Sequence, residues 1–494
     1  MYRAGLQGYF AAMKPSPLIF LTLLPGLVCS DLSAVIYEVG PAKTFSALAQ
    51  VPWEKLQPGD TVLIHARPEP YREKFVLCCA GTAEQPITVR GVPDAAGRLP
   101  VIDGDGATTP RSLKFWGEVR SVIKIGGAEN PPDLMPRHIV IENLEVRSAR
   151  PPYQFTDAEG HRQNYVKNAA SIHVEKAEHL TIRHCTLHDS GNGLFVSSND
   201  ERASRDILVE SSYIYGNGNP YSGQEHNVYS AAVGIIFQFN HFGPLRETCL
   251  GGNIKDRSAG LVIRANWIEG GNKELDLVDA QDSGIIRRDP AYREAWVTEN
   301  IFLKLPADRH STLVHYGGDS STLANYRRGV LHFYHNTVIT YRADPTVLFW
   351  LSSNDERCDF RNNLMFIAPP KAEGKIKAKS KTKAMFVLAQ TGGTFDLSHN
   401  WFPAGWQTGG AAKSYGVVRD DGTSLVGGDP GLADVAAQNF LLTARSPCRN
   451  AGQKLPPVAA APNDHPQEYV KHQSGRKRFN DGQPDVGAFE FSDR

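Results

Sequence analysis

Five segments with one alternating pattern around an asparagine decide the fold: VIRANWI (262–268), VTENIF (297–302), FYHNTV (333–338), FRNNLM (360–365) and LSHNWF (397–402). Three earlier segments follow the same pattern: TIRHCTL (181–187), LVESSYI (208–214) and IFQFNHF (236–242). The aligned position holds, in chain order, Cys185, Ser212, Asn240, Asn266, Asn300, Asn336, Asn363 and Asn400. The closest copies are 26 to 28 residues apart, and Gly/Pro-rich inserts lengthen the other spacings. A fixed period of this size predicts a stacked, repetitive architecture.

The repeated segments have the properties of strands. They are short, rich in Val, Ile, Phe and Tyr, and bounded by Gly, Asn and Asp, with no long helical pattern between them. We therefore predict an all-β, single-stranded, right-handed parallel β-helix whose successive turns pair about 4.8 Å apart. An inward asparagine repeated at one corner would stack along the axis and satisfy backbone groups there. VIENLEV (140–146) is an earlier copy, displaced by one position.

The composition indicates an ordered protein and argues against some partners. Of the 494 residues, 53 are Lys or Arg and 53 are Asp or Glu, so the formal net charge is zero. Neutrality argues against bulk attraction to nucleic acid or to a membrane surface. The 45 Gly and 32 Pro predict many turns on an ordered framework. The seven Cys are too few for a disulfide scaffold.

The N-terminus is typical of an export signal. The apolar run PLIFLTLLPGLV (17–28) follows Lys14 and is too short to span a bilayer. We expect residues 1–34 to be a signal peptide cleaved near residue 30 or 34, which predicts a secreted or periplasmic protein. Val28 argues against a lipid anchor at Cys29, because a small residue is expected before a lipidated cysteine. No other apolar run is long enough for a membrane helix.

The mature chain is expected to form one elongated domain. It would comprise a cap and first turns (35–135), central repeats that carry the site (136–405), and C-terminal loops and closing strands (406–494). In the cap, residues 43–56 are predicted to form a short amphipathic helix, interrupted by Pro52. PDVGAFEF (484–491) is expected to pack back along the coil. Four long inserts are expected to wall one side of it, and a basic insert to form a loop: 147–170, 216–225, 282–295 and 316–329, and the basic segment 371–383.

Several motifs together resemble a known superfamily. LQPGDTVLI (56–64), RGV with VIDG (90–92 and 101–104), the Asn-centred turns and the terminal PDVGAFEF are similar to secreted right-handed parallel β-helix proteins of the pectate-lyase-like superfamily. The resemblance covers nearly all of the mature chain as architecture. It implies a fold that serves polysaccharide lyases, glycoside hydrolases, uronan epimerases and proteins of unknown activity, so the fold alone does not assign a reaction.

The chemistry is concentrated in residues 224–282. In HNVYS, IKDRS and ELDLV, alternation around the inward residues Val228, Ile254 and Leu275 directs their neighbours outward. Stacking then predicts a column of Tyr229, Lys255 and Asp276, with Arg257 beside Lys255, and Asp256 inward. His226 lies at the entry of the first strand, and His315 would extend the column by another turn.

This cluster offers the groups that β-elimination on a uronic acid polymer requires. Arg257 would neutralise the sugar carboxylate through its planar fork, which makes the C5 proton more acidic. Lys255 would remove that proton if Arg257 and burial lower its pKa. Tyr229 or His226 would protonate the O4 leaving group. Three further residues are predicted to bind substrate: Asp276, Arg264 and His315.

The resemblance supports this interpretation only partly. The alginate-lyase and chondroitinase-B branch pairs a basic Lys with an Arg from a following turn, and Lys255 looks similar to that Lys. At the next turn this chain has Asp276 instead of Arg, and Arg257 lies on the same strand as Lys255. No acidic triplet resembles the pectate-lyase calcium site. The sequence therefore requires no cofactor, although a divalent cation such as calcium is compatible with the chemistry.

Three alternatives stay open. Asp276 and Asp279 could act as the carboxylates of an inverting glycoside hydrolase, although alternation directs them to opposite faces. A uronan epimerase would share the first proton abstraction. A non-catalytic solenoid could bind an acidic polysaccharide through an aromatic surface, and Lys255 with Asp276 would then be a plain cross-strand ion pair. An acidic-polysaccharide lyase is the preferred hypothesis.

Overall fold

Short strands that pair in parallel with the previous and the next turn build three long sheets. The computed structural model describes residues 34–369, 383–409, 416–455 and 466–493. Sheet 1 has 13 strands in this part of the chain: Ile36–Val39, Thr61–His65, Ile87–Val92, Arg137–Glu142, Glu178–Arg183, Ser204–Glu210, Ala232–Gln238, Ala259–Arg264, Glu294–Thr298, Val330–Tyr334, Arg357–Arg361, Thr394–Ser398 and Val417–Asp420.

Sheets 2 and 3 each have 11 described strands. Sheet 2 consists of Val101–Asp103, Glu145–Arg147, Thr186–His188, Tyr213–Tyr215, His241–Phe242, Trp267–Glu269, Ile301–Lys304, Thr337–Thr340, Leu364–Ile367, Trp401–Pro403 and Leu425–Gly427. Sheet 3 consists of Phe75–Leu77, Ser121–Ile125, Ala170–Val174, Asn192–Val196, Val228–Ser230, Ile254–Asp256, Leu275–Leu277, Thr312–Tyr316, Thr346–Leu351, Phe386–Ala389 and Gln407–Gly409.

The chain passes from sheet 1 to sheet 2 to sheet 3 and back to sheet 1 in each central turn. This path, with parallel pairing throughout the three sheets, is a parallel β-helix, and the predicted fold class is confirmed. The predicted signal peptide and the basic insert lie outside the described residues, apart from Ala34 and Lys383 at their ends. The predicted domain boundaries stay predictions.

Small elements decorate the coil. One sheet joins Ala107–Thr108, Gln154–Thr156 and Arg162–Asn164, and three antiparallel pairs are Lys114–Phe115 with Ala128–Asn130, Leu432–Asp434 with Asn439–Leu442, and Gln467–Val470 with Ser474–Lys477. The described helices are one α-helix, Gly284–Arg288, and the 3-10 turns Leu48–Gln50, Trp53–Lys55, Glu118–Arg120, Pro290–Arg293 and Leu323–Asn325.

The repeated asparagine forms a ladder at the corner between sheets 1 and 2. The Oδ1 of Asn336 accepts from the backbone N of Asn300 at 3.0 Å, and its Nδ2 donates to Asn363 Oδ1 at 3.1 Å. The same pattern joins the other aligned asparagines, and all of them are fully buried. The residue before each ladder position has a positive φ, as at His335, 52°. This explains why the copy VIENLEV is displaced by one position, because its Asn143 occupies the left-handed position and not the ladder position.

The interior is a stack of apolar side chains from all three sheets. On sheet 1 the inward position holds one buried apolar residue per turn, as at Ile182, Ile263, Phe333 and Phe360. Because alternate residues of a strand face opposite sides, the neighbouring positions face outward. Packing of these inner residues therefore fixes which side chains of sheet 3 form its outer surface.

The ends differ in one respect from the expectation. Residues 43–56 form two 3-10 turns on either side of Pro52 instead of an amphipathic helix. Proline at this point prevents a continuous helix, and the Trp53 ring stacks on Phe75 at 4.0 Å to close the core. The C-terminal segment packs back as expected, with Phe489 buried against sheet 2 and Ala488 N donating to Thr337 Oγ1 at 2.9 Å.

The long inserts border sheet 3 on both edges, whereas one side was expected. Inserts 147–170 and 216–225 lie between a strand of sheet 2 and the next strand of sheet 3. Inserts 282–295 and 316–329 lie between a strand of sheet 3 and the next strand of sheet 1. The outer surface of sheet 3 is therefore flanked by loops along both of its edges.

Candidate functional site

One outward column of sheet 3 carries the charged and aromatic residues. Strand register places Tyr229 beside Lys255, Lys255 beside Asp276, and Asp276 beside His315. Phe195 precedes Tyr229, and Trp350 follows His315. The predicted column therefore exists. The column results from inward packing of the residues next to it in each strand. These neighbours are buried apolar side chains: Val228, Ile254, Leu275, Leu277 and Val314.

Two cations of this column converge on one carboxylate, that of Asp319. Lys255 Nζ lies 2.5 Å from Asp319 Oδ2 and 2.9 Å from Asp276 Oδ2. The Arg257 guanidinium donates to Asp319 Oδ1 at 3.1 Å and Oδ2 at 3.4 Å. Its Nε donates to Tyr229 Oη at 2.7 Å. Sequence reasoning missed Asp319, which is 64 residues from Lys255 in a loop without a repeat pattern.

The loop that carries Asp319 is held from both ends. The amides of Asp319 and Ser320 donate to Asp279 Oδ1 at 2.8 and 3.2 Å. At the far end, Arg327 N donates to Gly317 O at 3.1 Å. The fully buried Arg327 guanidinium also donates to Asp256 Oδ1 at 3.3 Å and to four backbone carbonyls. The Asp319 carboxylate is therefore fixed above the two cations.

Both carboxylate oxygens of Asp276 have partners. Besides Lys255, Asp276 Oδ1 accepts from Lys273 Nζ at 3.1 Å and faces His315 Nδ1 at 2.7 Å. His315 Nε2 lies 2.9 Å from Ser352 Oγ. That hydroxyl is also in contact with Gly318 N at 2.9 Å and with two carbonyls, so it has no free side for nucleophilic attack. The Ser352–His315–Asp276 chain therefore orients Asp276.

The charges fix the protonation states around Lys255. Burial favours the neutral amine, but Asp276 and Asp319 outweigh it and raise the pKa of Lys255 above its ordinary value. The expectation that Arg257 and burial would lower this pKa is wrong, because two carboxylates contact the ammonium. Burial likewise opposes ionisation of the two acids. Hydrogen bonding from His315 nevertheless holds the pKa of Asp276 well below its usual range, and the charge of Lys255 lowers the pKa of Asp319.

His226 does not fit the predicted role of proton donor. It is buried at the strand entry, and its Nδ1 accepts from Gly252 N at 2.9 Å. Burial and the nearby charge of Lys255 lower the pKa of His226 to about 3. The imidazole is therefore neutral at ordinary pH and serves to hold the turn at Gly252.

Two other candidate residues lie outside the column. Arg264 belongs to sheet 1, where its Nε donates to Gln238 Oε1 at 2.9 Å, so it does not join the Lys255 cluster. Asp279 is fully buried beneath the Asp319 loop. The hydrolase hypothesis that pairs Asp276 with Asp279 is therefore not supported, because Asp279 is used to anchor a loop.

The described part of the chain gives no direct indication of a metal. Within residues 34–369, 383–409, 416–455 and 466–493, no group of three or more His, Cys, Asp or Glu side chains is arranged to hold an ion. Asp276 and Asp319 share the ammonium of Lys255 instead. A divalent cation such as calcium, which the sequence leaves open, therefore has no such group of ligands in this part of the chain.

The fold and the column define a class of protein: a parallel β-helix with an ionic groove on sheet 3. No protein-family model and no curated protein matches the chain. Among solved structures, pectate lyase Pel9A is 14% identical, with a TM-score of 0.48 over 92% of this chain and 96% of that one. A GH136 lacto-N-biosidase from Eubacterium ramulus is 10% identical, with a TM-score of 0.45 over 80% and 68%. A rhamnogalacturonan lyase is 13% identical, with a TM-score of 0.42 over 89% and 96%.

These likenesses concern the fold. They do not assign a reaction, and it is the sheet topology that agrees with the β-helix architecture implied by the predicted resemblance. No helix within the described ranges is long and apolar enough to cross a membrane.

Proposed function

We propose that this protein is a polysaccharide lyase that cleaves a uronic-acid-containing polymer by β-elimination in the groove of sheet 3. The observation that carries the proposal is the convergence of Lys255 and Arg257 on one carboxylate beside Tyr229. A cation pair that already binds a carboxylate has the chemistry needed to bind that of a uronic acid. The fold neighbours named above include lyases and a biosidase, but the proposal rests on the groove.

The first step is neutralisation of the sugar carboxylate. Asp319 occupies the position between the cations, and its side chain is 29% exposed. A uronate that approaches from the groove would compete with Asp319 for the Arg257 fork. Withdrawal of negative charge from the uronate makes its C5 proton more acidic. Arg257 suits this task because it stays charged, and Tyr229 and Asp319 raise its pKa against the opposing effect of burial.

Lys255 is the proposed base. Its free amine would take the C5 proton, and the electron pair left on C5 would form the C4–C5 double bond as the C4–O4 bond breaks. Because the two carboxylates raise its pKa, Lys255 is stored as an ammonium at neutral pH. Below that pKa, the reactive amine fraction therefore grows about tenfold with each unit of increase in pH. The proposal predicts a lyase that is faster in alkaline solution.

Tyr229 is the proposed proton donor to O4. Its Oη accepts a hydrogen bond from Arg257 Nε at 2.7 Å, so its own hydrogen can point into the groove. The ring is half-buried and stacks on Phe195 at 4.7 Å, which fixes its orientation. His226 is the weaker candidate, because it is neutral and engaged with Gly252.

A test uses a panel of alginate, pectate, glycosaminoglycans and bacterial exopolysaccharides. Ultraviolet absorbance of the unsaturated product, formed by wild type and lost in Lys255→Met, would support the lyase. New reducing ends without this absorbance would favour a glycoside hydrolase, and a change of uronate configuration without cleavage would favour an epimerase. Binding without any product would favour a polysaccharide-binding solenoid. Detection of the protein in the periplasm or the medium would agree with any of these polymers as its substrate.

A further inference from the structure

A third cation, Arg120, has its guanidinium over Phe195, two strands of sheet 3 before Lys255. We propose that Arg120, held by the stacked rings of Phe195 and Tyr229, forms a further subsite that binds an acidic sugar of the same polymer chain. This inference rests on the proposed function and extends it. It specifies a substrate with negative charges on more than one nearby sugar.

The Arg120 side chain is available for a ligand. It ends the 3-10 turn Glu118–Arg120, immediately before a strand of sheet 3, and its guanidinium carbon lies 5.0 Å from the centroid of the Phe195 ring. Its Nε is buried without a hydrogen-bond partner, and no hydrogen bond from this side chain to another residue is found in the described chain. Most arginines of the site donate to a carboxylate or a carbonyl, so Arg120 is an exception.

The nearest acid does not neutralise Arg120. Glu175 contributes only at longer range, and its carboxylate forms an ion pair with Lys124 Nζ at 3.3 Å. Burial lowers the pKa of Arg120 from its ordinary value, as expected for a cation that has lost water without gaining a direct partner. Because the residue as a whole is half-buried, an incoming anion would supply charge and hydrogen bonds to the terminal nitrogens of the guanidinium.

The aromatic rings hold the Arg120 guanidinium in position. Phe195 and Tyr229 are parallel within 2°, with centroids 4.7 Å apart, and both are half-buried. His173 supports Phe195 from the preceding turn, edge to face at 5.1 Å. The Arg120 guanidinium lies over Phe195 at 5.0 Å and that of Arg257 over Tyr229 at 5.7 Å, so the ring pair holds the two cations in place and leaves its edges to contact a sugar.

The spacing connects the two sites. Phe195 is two strand positions from Lys255, roughly 10 Å along the sheet. A polymer that lies along sheet 3 with one carboxylate at Lys255 and Arg257 would cross the ring pair and bring a neighbouring acidic sugar to Arg120. The subsite therefore selects for length and for charge density of the substrate.

Isothermal titration of an acidic hexasaccharide and its disaccharide tests the proposal at near-neutral pH, where Lys255 is protonated and turnover is slow. For Arg120→Gln we expect about tenfold weaker binding of the hexasaccharide and unchanged binding of the disaccharide. Arg120→Lys should recover part of the loss. The matched control is Lys114→Gln, an exposed lysine of the same hairpin region that pairs with Glu129 at 2.7 Å. A carboxyl-reduced hexasaccharide should bind wild type and Arg120→Gln equally.

The outcomes separate this subsite from the proposed reaction. Equal losses for hexasaccharide and disaccharide would mean that Arg120 only supports the fold, and no loss for either would mean that it binds no sugar; both results overturn the subsite. If no uronide is cleaved but hexasaccharide binding still depends on Arg120, the lyase proposal fails and the subsite stands. If cleavage depends on Lys255 while binding ignores Arg120, the reaction stands and the subsite fails.

Discussion

Replacement of Asp319 by asparagine should make the proposed β-elimination faster at neutral pH. Asp319→Asn removes one of the two carboxylates that hold Lys255 as an ammonium, and it keeps a side chain of the same shape. A charge-assisted hydrogen bond to a partly buried group contributes on the order of 1.5 kcal/mol. Loss of that contribution raises the free-amine fraction of Lys255 about tenfold. Asp276 still contacts Lys255, so the shift is limited.

The assay is the pH dependence of kcat/KM, followed by ultraviolet absorbance of the unsaturated product. Wild type should rise with pH, because the pKa of Lys255 lies above its ordinary value. In Asp319→Asn the rising limb should move to lower pH, with about tenfold higher kcat/KM at neutral pH. KM should also fall, because Asp319 no longer competes with the substrate carboxylate. Asp282→Asn is the matched control, since this exposed residue lies near the groove without an ion pair to Lys255.

Two results would refute this reasoning. A rising limb at the same pH in a folded Asp319→Asn variant would mean that Lys255 is not the base or that Asp319 does not set its charge. Loss of activity at every pH would mean that Asp319 itself takes part in the reaction or positions the substrate.

Three further predictions concern the proposed base, the loss of folding stability at low pH, and the asparagine ladder. Lys255→Met should lower kcat at least a thousandfold, as expected for loss of a general base, with a small change in Tm because Asp276 keeps Lys273 and His315 as partners; retained turnover would exclude Lys255 as the base. The pKa of Asp276 is depressed by folding, so its contribution to stability is full above about pH 4 and is lost as pH falls through the lower folded value. The Tm difference between wild type and Asp276→Asn should therefore narrow on acidification, and a constant difference would contradict this. Asn336→Ala should cost about 3 kcal/mol in urea unfolding, because it breaks hydrogen bonds to both neighbouring turns; a change within the range of an exposed substitution such as Gln407→Ala would show that the ladder adds little.

The fold could be predicted because each repeat contains the local pattern that specifies its own strand and turn. Ile263 stands three residues before Asn266, and Val297 stands three residues before Asn300, so the same short pattern recurs in each turn. This period by itself requires stacked turns. Alternation around Ile254 and Leu275 also predicted the column, since a strand has only two faces and the apolar face must be inside. The loops were harder, because their lengths do not reveal which edge of a sheet they border.

The candidate site could be predicted only in part. Tyr229, Lys255 and Asp276 follow from strand alternation, whereas Asp319 and Arg120 come from segments without periodicity. Protonation states were also beyond reach, because the pKa of Lys255 depends on which carboxylates fold back onto it. The same holds for His226, whose burial and contact with Gly252 make it the weaker candidate for the proton donor.

The sequence by itself determined the repeating strand, the asparagine corner and the outward order of side chains along sheet 3. These properties depend on neighbours in the chain and on a fixed period, so the local sequence of each segment is enough to determine them. Only the tertiary structure decided that the Asp319 loop rests on Lys255 and Arg257, and that Arg120 lies over Phe195. Those contacts join residues far apart in the chain through loops, and long-range electrostatics and burial, rather than periodicity, determine their chemistry.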